Sequence, residues 1–137
     1  MAKVFINIDV DDIDKAVTFY RAAFDLEVAR RLGPGVVELA GAQAPIFLLL
    51  KAASTPISRA VDVGRDYRRH WTPVHLDFAV DDVVAAFARA VAAGATAESE
   101  VETHDWGSIA YVADPFGHGV CLIQLSEQGY AALGSSG

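Results

Sequence analysis

Hydrophobic and polar positions alternate near the start of the chain. Val4, Ile6 and Ile8 fall on one face, and Phe5, Asn7 and Asp9 on the other, which is the period-two signature of a strand. The alternation returns later, with Leu76, Phe78 and Val80 opposed to His75, Asp77 and Ala79. Each run ends in Asp-Asp, as "FINIDVDD" at 5–12 and "HLDFAVDD" at 75–82. Those carboxylates are suited to accept hydrogen bonds from the free N–H groups of a helix's first turn. Helices are therefore predicted over "DIDKAVTFYRAAF" and "DVVAAFARAVAAG". Ala16, Phe19, Tyr20 and Ala23 recur at helical spacing in the first, and Gly94 is a natural stop for the second.

After each helix come three short apolar runs. In the first half they cover about 26–31, 35–40 and 44–50, separated by "GPG" and "GAQAP". In the second they cover about 97–103, 107–113 and 119–125, separated by the Trp-Gly region and "DPFGHG". The chain thus reads as one domain built of two strand–helix–strand–strand–strand modules. Module 1 runs over about 3–50 and module 2 over about 72–126, with a connector at 51–71 and a tail at 127–137. Neither module covers its own sheet face, so the two must pack together. The connector is long for a compact domain, which points to a function or a crossover.

Composition narrows the possibilities. The 137 residues are 53% hydrophobic and 21% charged, as in an ordinary globular domain. No apolar run reaches the ~20 residues of a membrane span, and "MAKVFINIDV" lacks the layout of a secretory signal, so a cytoplasmic protein is expected. A net charge of −7 disfavours nucleic acid. The single cysteine, Cys121, excludes an internal disulfide and any multi-cysteine metal site.

The paired modules, with "VDDIDKAVTFY" (10–20), "HLDFAVDD" (75–82) and "ADPFGHGVCLIQ" (113–124), resemble the vicinal oxygen chelate superfamily. That group contains glyoxalase I, extradiol dioxygenases, fosfomycin-resistance enzymes and bleomycin-resistance proteins. The resemblance implies an α+β fold of two βαβββ modules forming curled mixed sheets with helices packed outside. It also implies a homodimer, and leaves open whether modules pair within the chain or across subunits. In metal-dependent members four strand positions, usually His, Glu, His and Glu or Gln, chelate a divalent ion. Here the resemblance places Phe5 at the first, Leu48 (or Phe47, one residue back) at the second, His75 at the third and Cys121 at the fourth. A hard or borderline ion needs three or four converging N/O donors, and phenyl and isobutyl groups supply none. No metal and no cofactor are therefore expected, and Cys121 reads as a small buried hydrophobe.

The remaining candidates concern a pocket. His75 and Asp77 share one strand face and form a candidate general base or ligand-gripping pair, with a satisfied structural pair as the alternative. Asn7 and Asp9 extend the polar face in the first module. The segment "RDYRRHWTPVH" (65–75) sets Arg65, Arg68 and Arg69 beside Tyr67, His70 and Trp71, reading as a pocket rim or a dimer contact. Trp106 stands at a strand turn near a pocket mouth, and His118 falls in a tight turn, where a backbone role outweighs a catalytic one. The ligand-binding set is thus Phe5, Asn7, Asp9, Leu48, His75, Asp77, Cys121, Trp71 and Trp106. The function expected is binding of a small organic molecule, to sequester or transform it without a metal. Catalysis and the ligand's charge are left open, because an acidic chain suits a cation whereas an arginine-rich rim suits a carboxylate. The alternative is a metal-dependent lyase, isomerase or dioxygenase that draws ligands from His70, His104 or a partner chain. A third possibility is a structural dimer with a collapsed pocket.

Overall fold

The second aspartate of each Asp-Asp pair caps a helix. Asp12 accepts from the Lys15 amide and Asp82 from the Ala85 amide, both at 3.0 Å. The first helix, α1 (Ile13–Phe24), ends where Asp25 turns left-handed, and the second, α2 (Val83–Ala93), ends at Gly94 with φ 121°. These positions come from a computed structural model that describes residues 1–70 and 72–134. The expectations for Trp71 and for the end of the tail lie outside the described residues.

The strands are β1 (Ile6–Val10), β2 (Glu27–Arg31), β3 (Val36–Ala40) and β4 (Ile46–Leu50) around α1. Around α2 they are β5 (Leu76–Ala79), β6 (Thr96–Ala97), β7 (Glu102–His104), β8 (Gly107–Ala113) and β9 (Gly119–Leu125). The first sheet has the order β1-β4-β3-β2 and the second β5-β9-β8-β6, with β7 also on β8. Both are mixed, since β1 runs parallel to β4 and β5 to β9. The chain is α+β with two open mixed sheets and two helices. The strand expected over 97–103 is broken in two, because the Ser99 hydroxyl takes the Tyr111 amide (2.9 Å) in place of a ladder carbonyl.

One core fills the space between the helices and the sheet faces they cover. Ile8, Val10, Val37, Leu39, Ile46 and Leu48 come from the first sheet, and Ala110, Val112, Val120 and Leu122 from the second. Each large apolar side chain buried there contributes about 1.5–3 kcal/mol. The two modules meet within the chain. Phe24 of α1 stacks on Phe78 of β5 at 4.2 Å, and the buried Tyr20 hydroxyl donates to Asp114 at 2.6 Å. Helix α1 also packs directly on α2.

The connector is tied down along its length. Arg65 Nε donates to Asp9 of β1 at 2.7 Å, the Tyr67 hydroxyl to the Lys51 carbonyl at 2.6 Å, and the His70 amide to the Gly117 carbonyl at 3.1 Å. Gly117 makes this approach possible: its φ is 84°, and a Cβ there would sit 2.3 Å from the Arg68 carbonyl oxygen.

Candidate functional site

Each sheet has a second face, away from the helices. On the second sheet the register lays that face out as a grid. Asp77 of β5 pairs with Cys121 of β9, which pairs with Tyr111 of β8, and the Glu98 amide donates to the Tyr111 carbonyl. One pleat along, Ala79, Ile123, Ile109 and Glu102 form the next row. One pleat the other way, Gly119 pairs with Ala113, and His75 lies just before β5 on its outer edge. A Cβ on Gly119 would come within 2.5 Å of the Arg69 guanidinium, so the connector's arginine lies directly over that glycine. The result is a cavity of about 190 Å³ lined by Arg69, His70, His75, Glu98, Tyr111 and Cys121, among others.

The charged groups here are partnered. Arg69 grips Glu98 with two hydrogen bonds, 2.6 Å from Nε and 2.9 Å from Nη2, while its Nη1 donates to the His70 carbonyl. That pairing lowers the Glu98 pKa. Burial, the neighbouring His118 and then Arg69 lower the pKa of His70, so its ring is neutral at pH 7. His75 Nε2 lies 3.2 Å from an Asp77 oxygen. Burial pushes the Cys121 thiol up to about 12, reinforced by the Asp77 charge and by its hydrogen bond to Asp77. The thiol is therefore a protonated donor to Asp77 and no nucleophile.

The first sheet's outer face differs. Asn7 pairs with Phe47, and Phe47 with Glu38. Because Asp77 pairs with Cys121 in the same way, the repeat makes Phe47, and not Leu48, the counterpart of Cys121. Leu48 is fully buried in the core between the sheet and the helices, which corrects its assignment. Phe5 precedes β1, is 59% exposed, and meets Phe47 edge to face at 5.7 Å. Asp9 is taken by Arg65, so the polar patch of Asn7, Asp9, His75 and Asp77 divides. Asn7, Asp9 and His75 flank a groove along the seam between the modules, while Asp77 lies beside the second-sheet cavity, its carboxylate within 4.8 Å of the donor atoms of His75 and Cys121, which line it.

Trp106 packs on Ile109, Cys121 and Ile123 at the far end of the same face, between His104 (5.4 Å, near-parallel) and Tyr130 (5.5 Å). His118 is a structural tie. Its Nε2–H donates to the Asp9 carbonyl at 2.7 Å, and its amide donates to Asp114 at 2.8 Å. Sequence reasoning missed Tyr111 and Glu98. The only signal for Tyr111 was an aromatic ring two residues before Ala113 on an apolar strand; Glu98 was one acid among several in "AESEVE".

His75, Asp77 and Cys121 bring donor atoms within 4.8 Å of one another, so Asp77 adds a third donor to the two read from the sequence. The set still does not fit the four-position chelate that the fold family implies. The first module supplies only the Phe5 and Phe47 rings, and the thiol holds its proton.

The chain matches the glyoxalase-like domain over residues 5–123. It is 37% identical to an uncharacterized protein of Mycobacterium bovis over 112 residues, covering 80% of this chain and 74% of that one. It is 30% identical to the anthracycline biosynthesis protein DauV of a Streptomyces species over 125 residues, covering 90% of this chain but 41% of that protein. A crystal structure of a glyoxalase-related enzyme from Fulvimarina pelagi shares the fold with a TM-score of 0.71 at 21% identity, over 90% of this chain and 87% of that one. By the extent of the domain match and the shared architecture, the chain belongs to the glyoxalase-like domain family, within the glyoxalase, bleomycin-resistance and dioxygenase group of vicinal oxygen chelate proteins.

Proposed function

We propose that this protein binds a small organic molecule on the outer face of the second sheet, to sequester or transform it without a divalent metal. The observation that carries the reading is the row Asp77–Cys121–Tyr111–Glu98, roofed at one end by Arg69 and open along the other. A cavity with an aromatic floor and a few placed polar groups is the usual form of a small-molecule site. If the ligand is transformed, His75 and Asp77 are the catalytic residues. His75 Nε2 faces the Asp77 carboxylate at 3.2 Å, which leaves Nδ1 to take a proton from the ligand. We further propose a cytoplasmic homodimer, in which a second copy covers the exposed apolar residues Phe5 and Leu125. Among the described residues no helix is long and apolar enough to cross a membrane. The DauV likeness makes polycyclic natural products a sensible first ligand panel.

The test is a thermal-shift and calorimetric screen of such compounds, with elemental analysis of the same sample. We expect a ligand whose binding is lost in Tyr111→Ala, and a thermal midpoint that chelator leaves unchanged. About one zinc, nickel, manganese or iron per chain would overturn the metal-free reading and favour the metal-dependent alternative.

A further inference from the structure

The arginine-rich connector and the acidic chain point to ligands of opposite charge, and the structure resolves the conflict. Each of the three arginines in the 65–75 segment is neutralised by a carboxylate of the same chain. Arg65 holds Asp9 at 2.7 Å, Arg68 holds Asp66 at 2.6 Å, and Arg69 holds Glu98 in a two-pronged pair. Arg69, the one that lines the cavity, has Nε, Nη1 and Nη2 all engaged. It offers an incoming carboxylate no free fork.

Asp77 is in the opposite situation. It is about one-third exposed, and its neighbours are His75 and the Cys121 thiol. No lysine or arginine pairs with it among the described residues. Among the groups lining the cavity the Arg69 and Glu98 charges cancel and the Cys121 thiol and His70 are neutral, so the Asp77 carboxylate, at its edge beside His75 and Cys121, is uncompensated by any fixed cation. Beside it lies an aromatic surface. Tyr111 is 40% exposed, while the adjoining Ile109 and Ile123 are buried and packed with Trp106, which closes the far end. From the Asp77 row to the Trp106 end is one to two pleats, roughly 7–14 Å, about the length of a three-ring aromatic plate.

We infer that the ligand is a planar aromatic monocation, an amine or ring-nitrogen base, with its charge at Asp77 and its plate over Tyr111. The inference rests on the proposed site and adds the chemical class of what fills it. Glu98 acts as a specificity residue: by occupying Arg69, it keeps the rim from attracting anions.

The test uses three fluorescent plates of equal size, aminoacridinium (cation), anthracene methanol (neutral) and anthracene carboxylate (anion), titrated at pH 7.5 in low salt. Binding of the cation at least tenfold tighter than the anion is expected. Asp77→Asn, at a side chain about one-third exposed and checked for folding by circular dichroism, should abolish that preference. Glu38→Gln on the first sheet should leave it intact, which separates the site from general attraction by a net charge of −7. Glu98→Gln should release Arg69 and move the preference toward the anion by tenfold or more. Equal binding of cation and anion, or a preference that survives Asp77→Asn, overturns the inference. Tighter binding of the carboxylate, lost in Tyr111→Ala, overturns it while leaving the small-molecule site standing. Binding of none of the three overturns both.

Discussion

Removing one hydroxyl, in Tyr20→Phe, tests the seam that holds the two modules in register. Tyr20 is fully buried in α1, and its O–H donates at 2.6 Å to Asp114, itself 4% exposed, at the head of the turn before β9. Asp114 also accepts from the Phe116 and His118 amides, each at 2.8 Å. A hydrogen bond to a charged acceptor is worth about 1.5–3 kcal/mol. Asp114 keeps two donors in the variant, and the phenyl ring keeps the packing with Phe19 and Phe24, so the middle of that range, about 2 kcal/mol, applies. For a chain of this length the unfolding entropy is about 0.3 kcal/mol/K, which converts the loss to roughly 7 °C in Tm. Asp114→Ala strands three donors and should cost about 4 kcal/mol or more. In that background the Tyr20 hydroxyl has no acceptor, so adding Tyr20→Phe should cost almost nothing further. The pH dependence gives an independent check. Burial, followed by the Asp114 charge and hydrogen bond, raises the Tyr20 pKa well above its ordinary value. A raised folded pKa contributes stability that is fully present below the unfolded value of about 10 and is lost as pH rises above it. The gap between wild type and Tyr20→Phe should therefore hold through pH 9 and narrow beyond pH 10. Urea denaturation measures all of this. A cost below about 0.5 kcal/mol, or full additivity with Asp114→Ala, would refute a buried Tyr20–Asp114 bond across the seam.

Two further predictions use the same turn and strand. Gly117→Ala should destabilise by more than about 2 kcal/mol in urea, because a left-handed backbone and a collision with the Arg68 backbone act together. Gly119→Ala should cost less than about 1 kcal/mol, since only the end of the Arg69 side chain must move; equal costs would show that the connector does not press on Gly117. Iodoacetamide at pH 8 should leave Cys121 unmodified in the folded protein and label it readily in urea, because burial and Asp77 hold the thiol protonated. Labelling of the native protein at the rate of a free thiol would count against that environment.

Local physics was readable in the sequence wherever a residue's role depends on near neighbours. The alternation of β1 and β5, the capping by Asp12 and Asp82 and the stop at Gly94 act within a turn or two of chain, and their recurrence showed the repeated module. The His75–Asp77 pair was legible for the same reason, two residues apart on one strand. The orientation of β4 was not. "IFLLL" is apolar at every position, so period two gives no phase, and only pairing with β1 and contact with α1 decide that Leu48 goes into the core and Phe47 out. The charge of the pocket was equally hidden. In the sequence, Arg65, Arg68 and Arg69 are three cations in a row, but two of their partners, Asp9 and Glu98, lie 56 and 29 residues away. Burial and charge pairing depend on which segments the fold brings together, so the strand pattern could predict a polar-lined site but not the sign of the charge it holds.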